Sequence, residues 1–176
     1  MRRKRSGSDP PNETQFILAD ANVLINFLHI GQLDLLGILS GYQFVIPEHV
    51  EMEITRKAQA AVLKRAIKKG ISELTVITDI QEMADYTEFH KTLGQGESAC
   101  LAIAVNRGLS IASDEKGAYR RFVLSRIGPE RLLTTPDLIL AAVQSNLISV
   151  VQADKWKVIL ETHRFKMKFL SFKDLL

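Results

Sequence analysis

Four acidic residues stand at positions where carboxylates can do chemistry together. Asp20 directly follows the apolar run at 15–19, and Asp114 follows a second run at 109–112 after Ser113. Glu97 comes straight after the Gly94-Gln95-Gly96 turn, and Glu53 lies on the segment opened by Pro47. Each alone has an ordinary reading as a helix cap, a dipole partner, a solvated face or a turn residue. Brought to one place they repel one another, and the group is tolerable only if protonated or neutralised by a cation. The chemistry open to such a group is that of a hard divalent ion, Mg2+ or Mn2+, held by oxygen ligands.

The intervening sequence tells which elements must position these acids. Short β-rich apolar runs at 15–19, 43–46, 74–77, 109–112 and 131–133 read as strands. Helical segments separate them at 22–30, 32–39, 47–69, 79–92, 97–107, 115–126 and 134–146, with another at 154–163. Gly31, Gly70 and Gly108 stand just past helix ends, and Pro47 and Pro136 stand near helix starts. Alternation of this kind predicts an α/β fold, a three-layer α/β/α sandwich around a parallel sheet of about five strands. The strands lack clean polar alternation, as expected where both sheet faces are covered. Such folds place their sites outside the carboxyl ends of the strands, where helix starts also crowd. Asp20, Glu53, Glu97 and Asp114 all fall on that edge.

The residues at these positions resemble the motifs of PIN-domain nucleases. The stretch from Phe16 through Asp20 and Asn22 to Ile25 resembles that family's opening strand and first acid. Val45-Ile46-Pro47 with Val50 to Ile54 is similar to the second motif, Leu93 to Ala104 to the third, and Ser113-Asp114-Glu115 to the fourth. The resemblance covers roughly residues 15–148 and extends weakly to the end, where 164–176 resembles the tail of a PIN-like subgroup. It implies the strand order 3-2-1-4-5, a metal held by Asp20, Glu97 and Asp114, and catalysis by those three with Glu53. It further implies phosphodiester hydrolysis leaving a 5′-phosphate and a 3′-hydroxyl, with RNA as the expected substrate. A VapC-type toxin with an antitoxin partner is within its scope, and so is a PIN-like domain that binds nucleic acid or protein without cutting. Some members carry a further acid shortly after the fourth. Gly117 and Ala118 stand there in this chain, and Glu115 is the nearest substitute. An aspartyl-phosphate enzyme would want a second Asp two residues after the first, where Asn22 stands.

Substrate-binding candidates lie near the same edge. Asn22 and Ser113 are placed to hold water or phosphate, with capping as the open alternative. Arg56, Lys116 and Arg120 lie within a turn or two of the acids and are suited to phosphate. Trp156, Phe165, Phe169 and Phe172 interleave with basic residues, a pattern read as a helix and terminal strand covering the core. The histidines show no metal-ligand spacing, and Cys100 reads as packing. Val23, Leu24, Phe27 and Leu28 permit a homodimer face, with core packing as the alternative.

Charge adds little. The net charge is +3, but Arg2, Arg3, Lys4 and Arg5 concentrate it in residues 1–14, expected to be a disordered basic tail. Residues 15–176 are expected to form one PIN-like domain, with 149–176 as an extension packed on its core. No apolar run is long enough for a membrane span, and with a single cysteine the expected location is cytoplasmic.

Overall fold

The computed structural model describes residues 14–176, so the expected tail lies, Thr14 aside, outside the described residues. Strands β1 (Gln15–Ala19), β2 (Tyr42–Pro47), β3 (Glu73–Thr75), β4 (Ser110–Ala112) and β5 (Leu132–Leu133) form one sheet. Its order is β3-β2-β1-β4-β5 and every pairing is parallel. Helices flank it in the three-layer arrangement the alternation predicts. Ile17, Leu18 and Ala19 of central β1 are fully buried. A strand covered on both faces has no reason to alternate apolar with polar residues.

The helices are α1 (Ala21–His29), α2 (Glu48–Glu53), α3 (Lys57–Lys68), α4 (Ile80–Phe89), α5 (Gln95–Arg107), α6 (Gly117–Arg126), α7 (Thr135–Gln144) and α8 (Val150–Thr162). Helix α5 packs on α4 and also meets α2 and α6, while α1 meets α3 and α8. Asp79 caps α4 by accepting from the Gln81 amide at 2.7 Å. α5 stops at Gly108, whose φ of +69° is the left-handed conformation glycine tolerates best.

Several boundaries differ from the sequence reading. The helix expected over 47–69 is two helices, broken at residues 54–56. Ile54 is drawn into the core there, and β-branched Ile54 and Thr55 are weak helix formers. Residues 32–39 hold only a 3-10 turn, Leu33–Gly37, with its leucines buried. α6 starts at Gly117 rather than Glu115, which leaves Glu115 and Lys116 in the loop after β4. No terminal strand forms among the described residues. Instead a 3-10 turn, Phe172–Leu175, is tied to α8 by Asp154, which accepts from the Ser171 hydroxyl at 2.7 Å and the Phe172 amide at 2.8 Å. The dimer face suggested for α1 is lost: Val23, Leu24 and Phe27 lie in the core and only Leu28 stays partly exposed. No helix of the described residues is long and apolar enough to cross a membrane.

One ion pair locks the carboxyl end of α5 to α4. Arg107 at the end of α5 donates to both Glu82 oxygens, at 2.6 and 2.9 Å, and also to the Thr75 hydroxyl and the Val76 carbonyl. The Glu82 side chain is only 2% exposed. Hydrogen bonding from Arg107 holds its carboxyl below the ordinary value. Truncating Arg107 strands that carboxylate without its fork of donors. Arg107→Ala is expected to cost about 2–3 kcal/mol in urea unfolding, and Arg107→Ala with Glu82→Ala should cost less than Arg107→Ala alone.

Candidate functional site

The register of the two central strands builds the site. Ala19 of β1 pairs with Ala112 of β4, so the next residues, Asp20 and Ser113, emerge side by side at the carboxyl edge of the sheet. The Ser113 hydroxyl donates to Asp20 Oδ2 at 2.8 Å, and the Ala21 amide donates to Asp20 Oδ1 at 2.8 Å. Asp20 is therefore both the cap of α1 and a member of the site. Asn22, two residues on, ties the two strand ends together. Its Nδ2 donates to Asp20 Oδ2 and to Glu115 Oε1, each at 3.0 Å, and its Oδ1 accepts from the Asp114 amide at 3.0 Å. Asn22 thus connects the two strand ends, while Ser113 both donates to Asp20 and caps its own turn by accepting from the Glu115 amide at 3.1 Å.

Two further acids arrive from helices. Glu53 ends α2 and accepts from the Gly96 amide at 2.8 Å. A Cβ at Gly96 would lie 2.7 Å from Glu53 Oε2, so the turn before Glu97 needs a glycine for the carboxylate to seat. Glu97, in the first turn of α5, reaches back to the Gly94 amide at 2.9 Å.

The electrostatics show which acids feel one another. Asp20 is buried, and its carboxyl is pushed from the ordinary 3.8 up to about 7. Loss of water is the largest cause, and the charges of Glu53 and Glu97 add to it against the pull of Ser113 and Ala21. Glu97 is also raised, by burial first and then by the charges of Glu115 and Glu53. Asp20 thus feels Glu53 and Glu97, and Glu97 in turn feels Glu115 and Glu53.

Asp114 lines the cleft with Asn22 and Glu115 but is held by its own donors. Its oxygens accept from the Thr135 amide at 2.8 Å, the Thr135 hydroxyl and Asn26 Nδ2 at 3.0 Å. Burial raises it, and the neighbouring charge it feels is Asp137. The sequence reading ranked Asp114 above Glu115 at this edge; the structure gives Glu115 the place beside Asn22. Buried Thr135 and Asn26 carried no sequence signal, because a threonine near a helix start is common and a lone asparagine inside α1 has no motif around it.

The donor set is all oxygen and net negative, and among the described residues no cation forms an ion pair with it. That chemistry fits a hard divalent ion. Each carboxylate, however, rests on its own hydrogen-bond donor, and among the described residues no three His, Cys, Asp or Glu side chains are gathered to hold a metal. Glu53 and Glu97 each keep one carboxylate oxygen without a donor, and Asp20, Glu97 and Glu115 would have to draw closer together to hold such an ion.

A cleft of about 860 Å3 opens at the loop after β4, from Asn22, Asp114 and Glu115 past Lys116 and Arg120 to Arg164 and Lys166; Asp20, Glu53 and Glu97 do not line it. Arg56 does not line it. His29 and His163 stack on its wall with ring centroids 3.7 Å apart, though the sequence showed them as scattered. Burial lowers His29 below its ordinary value, and the charges of His163 and Arg56 lower it further. Trp156 and Phe172 are buried in the core, while Phe165 lines the cleft. Cys100 is buried with its thiol pushed well up by desolvation, which suits packing and not nucleophilic attack.

Residues 16–164 match a family model described as a PIN domain. No curated protein matches the chain.

Asp20 makes stability depend on pH. A carboxyl whose folded value lies above its unfolded one binds its proton more tightly in the fold, so ionisation destabilises the protein. Between pH 4 and 7 that loss accumulates, reaching about 4 kcal/mol above pH 7 in metal-free protein. Asp20→Asn is expected to melt several degrees above wild type at pH 8 without divalent cation, with the gap closing towards pH 5; equal melting at both pH values would contradict it.

Proposed function

The chain belongs to the PIN-domain family, and on that premise we propose that it is a divalent-metal-dependent nuclease that hydrolyses phosphodiester bonds, with RNA as substrate. The observation that carries this reading is the buried Asp20 carboxyl held near pH 7 beside Glu53 and Glu97. Carboxyls raised by burial and by neighbouring charge cluster at functional sites, where they are matched to a cation or a proton. Mg2+ or Mn2+, when bound, would supply an activated water and offset the charge that builds on the phosphate oxygens.

The remaining roles belong to the chain. Asp20, Glu97 and Glu115 are the residues we assign to hold the ion, with Glu53 at the same edge. Asn22 and Ser113 orient the Asp20 and Glu115 carboxylates through their hydrogen bonds. Asp114, bound by Thr135 and Asn26, positions the loop after β4 and takes no direct part. Lys116 and Arg120 hold substrate phosphate. The antitoxin partner and the cytoplasmic setting stay with this reading as its biological context. The competing reading is a PIN-like module that binds without cutting, and the ungathered carboxylates favour it.

The deciding experiment incubates labelled single-stranded RNA and DNA with wild type and Asp20→Asn, in Mn2+ or EDTA. Cleavage of RNA by wild type in Mn2+, at least about a hundredfold above Asp20→Asn and EDTA, is the expected result. Binding without cleavage by wild type would establish the silent module. In the same samples Mn2+ should raise the melting temperature of wild type and leave Asp20→Asn unmoved, since only a site that binds ion in the fold stabilises it. Gly96→Ala tests the second motif separately. It should stay folded, because the clash is with the movable end of Glu53, while cleavage falls tenfold or more as that carboxylate is displaced; full activity would remove Glu53 from the site.

A further inference from the structure

The cleft at the loop after β4 has a wall that the roles above leave unexplained, formed by the turn that closes α8. That helix ends in a Schellman motif: the Phe165 amide donates to the Leu160 carbonyl at 3.0 Å and the Arg164 amide to the Glu161 carbonyl at 3.1 Å. The motif puts residue 164 in the left-handed region, with φ of +67°. A Cβ makes that conformation costly, which is why glycine ordinarily fills the position. The other non-glycine residue with positive φ among those described is Asn146, and asparagine adopts it readily. At 164 an arginine bears the strain instead.

The Arg164 side chain lines the cleft with Lys166, and Lys116 and Arg120 line it with them. Among the described residues none of these four cations forms an ion pair. Phe165, packed against the core, anchors the turn between the two. A strained backbone kept for a cation with no internal partner points to an anion from outside. Four such cations outnumber the two acids of the cleft, Asp114 and Glu115, which stand together at the loop after β4, and they match a row of phosphates leading away from that end.

We propose that the turn after α8 is a clamp for the phosphate backbone of single-stranded nucleic acid, with Arg164 and Lys166 gripping the strand together with Lys116 and Arg120. The clamp rests on the nuclease reading, since it needs a strand to lie at the acidic edge. It extends the substrate site into the C-terminal segment.

The test uses full-length Asp20→Asn protein, with and without Arg164→Gly, and measures anisotropy of a labelled single strand of about 12 nucleotides, as RNA and as DNA, between about 50 and 200 mM salt. Lys168→Ala removes an equal charge outside the cleft and serves as control. With Arg164→Gly, the dissociation constant of the strand that binds should rise roughly three- to tenfold, and the slope of log affinity against log salt should fall by about 0.7. Lys168→Ala should change neither. Arg164→Gly should also melt a few degrees higher, because glycine relieves the strained turn. Unchanged affinity and slope in Arg164→Gly, or an equal loss in Lys168→Ala, would overturn the clamp while leaving the nuclease reading standing. If Asp20→Asn binds neither strand, or binds poly-glutamate in preference, the clamp and the nuclease reading fall together.

Discussion

A carboxylate out of water is the constraint around which the rest of this protein is arranged. Asp20 sits at the end of the central strand, where its neighbour across the sheet is the end of β4. Burial there deprives it of solvent, and hydrogen bonds from Ala21, Ser113 and Asn22 return only part of what is lost. Glu53 and Glu97 then add repulsion. A fold that meant only to be stable would place an apolar residue here. A cation bound at this edge would offset that cost.

Helix α5 is what brings the other acids within reach. Ala99, Cys100, Ala102 and Ala104 are fully buried, and their small side chains let the helix lie close to β1 and β2. Its start is equally restricted, because Gly96 leaves room for the Glu53 carboxylate and donates its amide to it. The fork from Arg107 to Glu82 anchors the far end of the same helix. A shift at either end would move Glu97 relative to Asp20, so stability and site geometry share the same contacts.

Charge is segregated along one edge of the molecule. Asp20, Glu53 and Glu97 stand at the carboxyl edge on β1, α2 and α5, and the cleft at the loop after β4 holds Asp114 and Glu115 together with Lys116, Arg120, Arg164 and Lys166. The net charge of +3 conceals this division. A strand entering the cleft would meet attraction along the cationic walls and repulsion at the acids, which an ion held there would relieve. The stacked rings of His29 and His163 join α1 to the end of α8 on the same wall, and so connect the first motif of the chain to its last segment.

The architecture was largely legible from local pattern. Apolar runs without alternation, helix punctuation by Gly108 and Asp79, and acids set just past the strands all follow from rules that act over a few residues. Asp20 and Glu97 could be singled out because their positions depend only on where a strand stops and a helix starts. What only tertiary structure decided involves distant partners. Whether Asp114 or Glu115 faces the acids depends on Thr135 and Asn26, which reach Asp114 from 21 and 88 residues away. The break after Glu53 depends on burial of Ile54, and helix propensity could not place it against the favourable residues on either side. The cleft needs α6 and the end of α8 side by side, and the left-handed Arg164 needs the closing turn of a packed helix. Periodicity reports which face of an element is apolar. It carries no information about which distant side chain will satisfy a buried carboxylate, because that is settled by the packing of elements and not by their order.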